Sequence, residues 1–212
     1  MERAGQEGNE MTLTRRAFTA AVIAATLASP AAAQRIPLGE LSQYLNELTT
    51  ARGSFTQVAS TGEVSTGTIF IKRPGRVRFE YNPPERSMVI AGGGSLAVFD
   101  PRSDEPARYA LNQTPLSIIL ARNVDLARAN MVTGHTSDGL TTTVRAQDPE
   151  NPEYGSIDLV FTGNPVELRQ WVINDGDGGS TTVILGALDR GVRVPDRLFN
   201  IIAETQDWAE RQ

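Results

Sequence analysis

The chain has 212 residues, a formal charge of −5, 40% hydrophobic residues and 21% charged ones. That balance excludes a disordered chain, and it excludes a nucleic-acid binder that works through a broad basic surface. Zero cysteines exclude disulfides, thiolate metal sites and thiol nucleophiles, and a lone histidine, His135, excludes a multi-histidine metal centre.

Residues 11–33 read as a cleavable export signal. Arg15 and Arg16 supply the positive start, Ala17 to Leu27 is apolar but too short to span a bilayer stably, and Ala31-Ala32-Ala33 offers a small-residue cleavage site before Gln34. Thr14-Arg15-Arg16-Ala17-Phe18 also fits a twin-arginine signal, so the sequence leaves the export route open. Met1–Glu10 is polar and acidic, unlike a signal, which points to translation starting at Met11. Residues 1–33 thus form an extension plus signal, and residues 34–212 a single exported domain.

Leu38, Leu41, Leu45 and Leu48 recur every three or four residues and predict an amphipathic helix from Leu38 to Arg52, ended by Gly53. Short alternating runs follow. Val77, Phe79 and Tyr81 alternate with Arg76, Arg78 and Glu80; Leu140, Thr142 and Val144 with Thr141, Thr143 and Arg145; Ile157, Leu159 and Phe161 with Ser156, Asp158 and Val160. About eleven such runs, split by Gly, Pro, Asn and Asp, predict an antiparallel sheet. Hairpin turns are expected at Ala91–Gly94, Gly163–Pro165 and Asn174–Gly179. Thr114-Pro115 interrupts the strands with a second helix, Thr114 as its cap and Pro115 at its first position, running through Leu116, Ile119 and Leu120 to Arg122. A further helical turn is expected over residues 125–131. His135 is expected in a polar loop, and Asp175–Gly179 lacks the ligand spacing and distal glutamate of a calcium loop.

A sheet of this length must curl or close. With few helices to cover it, the expected form is a curved half-barrel with the helices in its concave mouth, over either a filled core or a cavity.

The most specific run is Lys72-Arg73-Pro74-Gly75-Arg76-Val77-Arg78-Phe79-Glu80-Tyr81. It stands after Gly53-Ser54-Phe55-Thr56-Gln57 and Gly67-Thr68-Ile69-Phe70-Ile71, and before Pro83-Pro84-Glu85, Asp100-Pro101 and Asn112-Gln113-Thr114-Pro115-Leu116. From about residue 38 to 199 this order resembles the LolA family of periplasmic outer-membrane lipoprotein carriers. The resemblance implies a mainly β fold with some α: an unclosed antiparallel β half-barrel of about eleven strands with a helical lid over an apolar cavity. It implies a carrier of acylated lipoproteins that takes them from an inner-membrane ABC transporter and passes them to a LolB-like outer-membrane acceptor or to the outer membrane itself. It also implies a latch at Arg73, whose five donors suit several lid carbonyls. Ile69, Ile71, Val77, Phe79, Tyr81 and Leu96 become candidate cavity wall, and Leu116, Ile119 and Leu120 candidate lid. Many family members carry an aromatic where this chain has Val77. A monomer is expected, with no enzymatic activity, cofactor, metal or nucleic-acid partner. The rival readings are an envelope sensor of lipid or lipoprotein with the same fold and a general periplasmic lipid binder; a hydrolase is disfavoured by the lack of a G-x-S-x-G nucleophile motif.

Overall fold

The computed structural model of the protein describes residues 35–127 and 130–211; the export signal and the start at Met11 lie outside them. Helix α1 (Leu38–Glu47) turns Leu41, Tyr44 and Leu45 inward, as the spacing predicts. It stops earlier than expected. Strand β1 (Thr50–Ala59) begins at a β-branched pair, Thr49-Thr50, and Ala51 is held between Ile71 and Arg190 of its two neighbours. Gly53 lies inside this strand, at a bulge, and does not cap a helix. A Cβ there would stand 2.6 Å from the Ala187 carbonyl oxygen, so the glycine permits close approach of the neighbouring strand.

The remaining strands are β2 (Val64–Lys72), β3 (Val77–Tyr81), β4 (Met88–Gly92), β5 (Ser95–Phe99), β6 (Ala107–Ala110), β7 (Val132–Ser137), β8 (Thr141–Gln147), β9 (Ser156–Thr162), β10 (Glu167–Asn174) and β11 (Ser180–Arg190). They make one eleven-stranded antiparallel sheet in the order β6-β5-β4-β3-β2-β1-β11-β10-β9-β8-β7. The edge strands β6 and β7 do not pair with each other, so the sheet is unclosed. It is strongly curled nonetheless. β3 and β10 stand four strand spacings apart, about 19 Å along the sheet, yet the rings of Phe79 and Trp171 meet with centroids 6.2 Å apart.

Each face has its own core. On the concave side, inward residues of eight strands pack against α1 and against α2 (Leu116–Leu120). Phe55 anchors this core, its ring edge-on to Phe79 at 5.2 Å and to Tyr81 at 5.0 Å. Gly67 faces Phe55 across the strand pair because a side chain would not fit: a Cβ would lie 2.6 Å from the Phe55 ring and 2.1 Å from the Glu80 carbonyl. On the convex side, Met88, Ile90, Ala97 and Phe99 pack against Ile201 and Trp208 of a third helix, α3 (Ile201–Arg211). The alternation reading did not foresee this helix. Asn200 caps it by accepting the Ala203 N–H at 3.1 Å, and Ile201 and Trp208, seven residues apart, share its inner face.

Two smaller expectations are corrected, and a third falls partly outside the described residues. Leu140 precedes β8 and is 85% exposed, because Asp138 accepts the Leu140 and Thr141 N–H groups in a tight turn. His135 lies in edge strand β7, its Nε2 3.0 Å from the Ile36 carbonyl. Leu126 and Ala127 form a turn, and the rest of the helical turn expected over 125–131 includes residues 128 and 129, outside the described ones.

Candidate functional site

The concave mouth holds the candidate site. α2 is a five-residue helix with Leu116, Ile118, Ile119 and Leu120 all buried. Pro115 precedes it, and Ser117 and Ile118 donate their N–H groups to the Thr114 and Pro115 carbonyls. Thr114 does not cap through its side chain as expected. Its hydroxyl donates back to the Leu111 carbonyl at 2.8 Å and closes the short 3-10 turn that leads in. Arg122 lies past the helix end.

So short a helix has little hydrogen bonding of its own and depends on its burial. Its C-terminal end is tied down by backbone and side-chain donors. Gly75 N–H donates to the Leu120 carbonyl at 2.8 Å, and Arg73 Nη2 donates to the Ala121 carbonyl at 2.5 Å. The guanidinium thus faces carbonyls at a helix C-terminus, where a cation is favoured. Arg73 also reaches Asn46 of α1 at 3.4 Å, and its own N–H is fixed by the Thr49 carbonyl at 2.8 Å. Burial pulls the pKa of the guanidinium down from its ordinary value, the cost of holding a cation against an apolar wall.

The segment after α2 is stitched to α1. Asn46 Nδ2 donates to the Val124 carbonyl and Asn46 Oδ1 accepts the Val124 N–H, both at 2.9 Å. Ser42 accepts the Leu126 N–H at 2.9 Å and donates to the Leu38 carbonyl at 2.8 Å. Sequence patterning does not single out Asn46, Ser42 and Gly75; the one signal is Ser42, a polar residue on the buried face of α1 beside Leu41 and Leu45.

The candidate wall residues divide between two spaces. Arg73, Ile71, Val77, Leu116, Ile119 and Leu120 border a narrow void of about 20 Å³ under α2, with Trp171 opposite. Phe79, Tyr81, Leu96 and Leu116 border an open groove of about 360 Å³ beside it, whose floor is completed by Val89, Val98, Trp171, Ile173 and Val183. Ile69 is fully buried in the wall and borders neither. The interior is therefore occupied by the side chains of α1 and α2, and the open space continues out along the sheet. Gln57, Gln113, Tyr154, Asp175 and Thr181 form a polar margin. The Tyr81 hydroxyl donates to Gln57 at 2.6 Å. Burial is the main cause that pushes its pKa up to about 12, with Glu85 adding to the rise and the Gln57 bond opposing it.

Trp171 was missed by the sequence reading. It is 1% exposed, lies in the wall common to void and groove, and its indole N–H has no hydrogen-bond partner. The Asp175–Gly179 run is the β10–β11 hairpin turn, Asp175 Oδ1 accepting the N–H groups of Asp177 and Gly179 at 3.1 and 2.7 Å. Among the described residues no group of three or more metal-ligating side chains comes together, and no helix is long and apolar enough to cross a membrane.

Residues 46–202 match the family model described as outer membrane lipoprotein carrier protein LolA. An outer-membrane lipoprotein carrier protein of Chromobacterium violaceum is 26% identical over 86% of this chain and 90% of its own length. One of Ralstonia nicotianae is 23% identical over 90% of this chain and 94% of its own. Among solved structures, a putative outer membrane lipoprotein-sorting protein domain from Vibrio parahaemolyticus is similar, with 8% identity, a TM-score of 0.48, and coverage of 79% of this chain and 97% of that one.

Proposed function

Because the chain belongs to the LolA family of outer membrane lipoprotein carrier proteins, we propose that it is a periplasmic carrier that hides the acyl chains of lipoproteins from water between the two membranes. It receives them from an inner-membrane ABC transporter and yields them to a LolB-like acceptor or to the outer membrane. The observation that carries this reading is the plug in the concave mouth. α2 is short, apolar and pinned by a few hydrogen bonds at one end, and it sits beside an apolar groove that its departure would enlarge.

Energetics support a mobile plug. Burying a methylene is worth about 0.8 kcal/mol, so complete burial of three long chains would exceed the practical ceiling of about 18–21 kcal/mol for non-covalent affinity. A carrier built that way would never release. Displacing α2 exposes its buried isoleucines and leucines and breaks the bonds from Arg73 and Gly75, and this cost offsets much of the gain from acyl burial. Re-closure then drives release. No G-x-x-x-x-G-K-[ST] nucleotide loop is present in the sequence, so on this reading the free energy of closure does that work. Arg73 is the latch of the empty form, and Ile71, Val77, Phe79, Tyr81 and Leu96 are wall that meets the acyl chains once the lid has moved.

The test is capture of a triacylated lipoprotein against the same protein with its lipid removed. Strong retention of the first and loss of the second supports the carrier; equal capture of both refutes it.

A further inference from the structure

We infer that the indole N–H of Trp171 is a hydrogen-bond donor for an acyl carbonyl of the passenger, so that the cavity recognises the ester or amide end of a fatty chain as well as its hydrocarbon. This rests on the carrier reading and deepens it.

The observation is an unpaid donor in an apolar wall. A buried N–H without a partner costs about as much as a lost hydrogen bond, and tryptophan indoles usually find one when buried. Two buried side-chain donors among the described residues lack partners, Arg73 Nε and Trp171 Nε1, and both residues border the void beneath α2. Their situations differ. The Arg73 side chain is only half-buried and already donates to Ala121, so its guanidinium turns to water when α2 leaves. Trp171 is fixed in the middle of β10, paired with Leu159 and Val183 on either side, with its ring against Phe79. Its indole nitrogen is shielded from solvent in the empty form.

The position of Trp171 selects the acceptor. Trp171 borders both the groove and the space now filled by α2, so a chain that occupies the two together lies against it. An acyl chain brings one class of strong acceptor into such a space, the carbonyl at its first carbon. Without a donor, an ester would be penalised there relative to an ether of the same length, because its carbonyl would be stripped of water and left unpaired. With the indole N–H the preference reverses.

The experiment uses the full mature chain and two synthetic two-chain lipopeptides of equal chain length, both with an acetylated N-terminus, one with ester-linked palmitoyl chains (the acyl form) and one with the same chains linked as alkyl ethers (the alkyl form). The expected result is binding of the acyl form about three- to tenfold tighter than the alkyl form, with the Trp171 indole proton resonance moving downfield on acyl binding only. Trp208→Phe assigns that resonance. Trp171→Phe is expected to lose the preference between the two lipopeptides, whatever its overall affinity for either; should that variant not fold, the wild-type affinity ratio and resonance decide. Equal affinities, or tighter alkyl binding, with an unmoved indole resonance overturn the inference and leave the carrier intact. Binding of neither lipopeptide overturns both.

Discussion

Arg73→Leu tests the latch quantitatively. In the empty form the Arg73 guanidinium donates to the Ala121 carbonyl at 2.5 Å, with a second, longer contact to Asn46 at 3.4 Å. A hydrogen bond from a charged donor is worth about 1.5–3 kcal/mol net. Half-exposure of the side chain puts this one at the low end, about 1.5 kcal/mol, or roughly tenfold in the closed-to-open equilibrium. Leucine keeps the apolar contacts with Ile71 and Leu120 and leaves the wall intact, so loading is preserved while the drive to re-close is reduced. The assay is transfer of a fluorescent triacylated peptide from loaded carrier to acceptor vesicles. The expected outcome is normal loading and transfer slowed about tenfold, with Arg73→Lys in between because it retains a charge and a donor but not the planar fork. Transfer of the leucine variant at the wild-type rate would rule out Arg73 as the latch.

Acid should loosen the convex side first. Burial raises the Glu204 carboxyl, but hydrogen bonds from Arg211 at 2.7 Å and Arg78 at 2.8 Å, with their charges, outweigh it and hold the pKa below the usual value. A depressed carboxyl contributes stability that is present above its unfolded pKa, about 4.3, and disappears as pH falls through the lower folded value. The thermal midpoint of Glu204→Gln should therefore lie below wild type at neutral pH and converge with it as acid titrates the carboxylate; parallel curves would count against the ion pairs. Gly67→Ala should cost about 1–3 kcal/mol from the forced contact with Phe55 and the Glu80 carbonyl, and denaturant titration showing a change under about 0.5 kcal/mol would contradict the packing described. Phe55→Ala should cost about 3–5 kcal/mol by the same measurement.

The sheet was legible because alternation marks a half-buried strand directly. Ile157, Leu159 and Phe161 are all fully buried on one face, and Val77 and Phe79 likewise. The turn-forming glycines and prolines gave the hairpins. The failures have local physical causes. α1 was drawn too long because leucine spacing continues through Leu48 to the strand, and periodicity alone cannot register that Thr49-Thr50 favours extended backbone. Leu140 was assigned to a strand face since nothing in the alternation reports that Asp138 gathers the neighbouring N–H groups into a turn. α3 was overlooked although Asn200, Ile201 and Trp208 carried a cap and an inner face. Arg73 stood out through its motif, and its acceptors did not, since Ala121 and Leu120 contribute backbone carbonyls that no side-chain pattern encodes. The open donor of Trp171 is equally invisible in sequence, because a missing partner is a property of three-dimensional surroundings.

As a mobile plug, α2 leaves the concave mouth when a lipid enters. Amide exchange reports it at a single site, the Gly75 N–H, which is bonded to the Leu120 carbonyl at 2.8 Å in the empty form. On saturation with a triacylated lipopeptide, Gly75 and the amides of residues 116–126 are expected to lose protection while those of β1, β2 and β11 keep theirs. Unchanged or increased protection at Gly75 and across that segment in the loaded protein would contradict it.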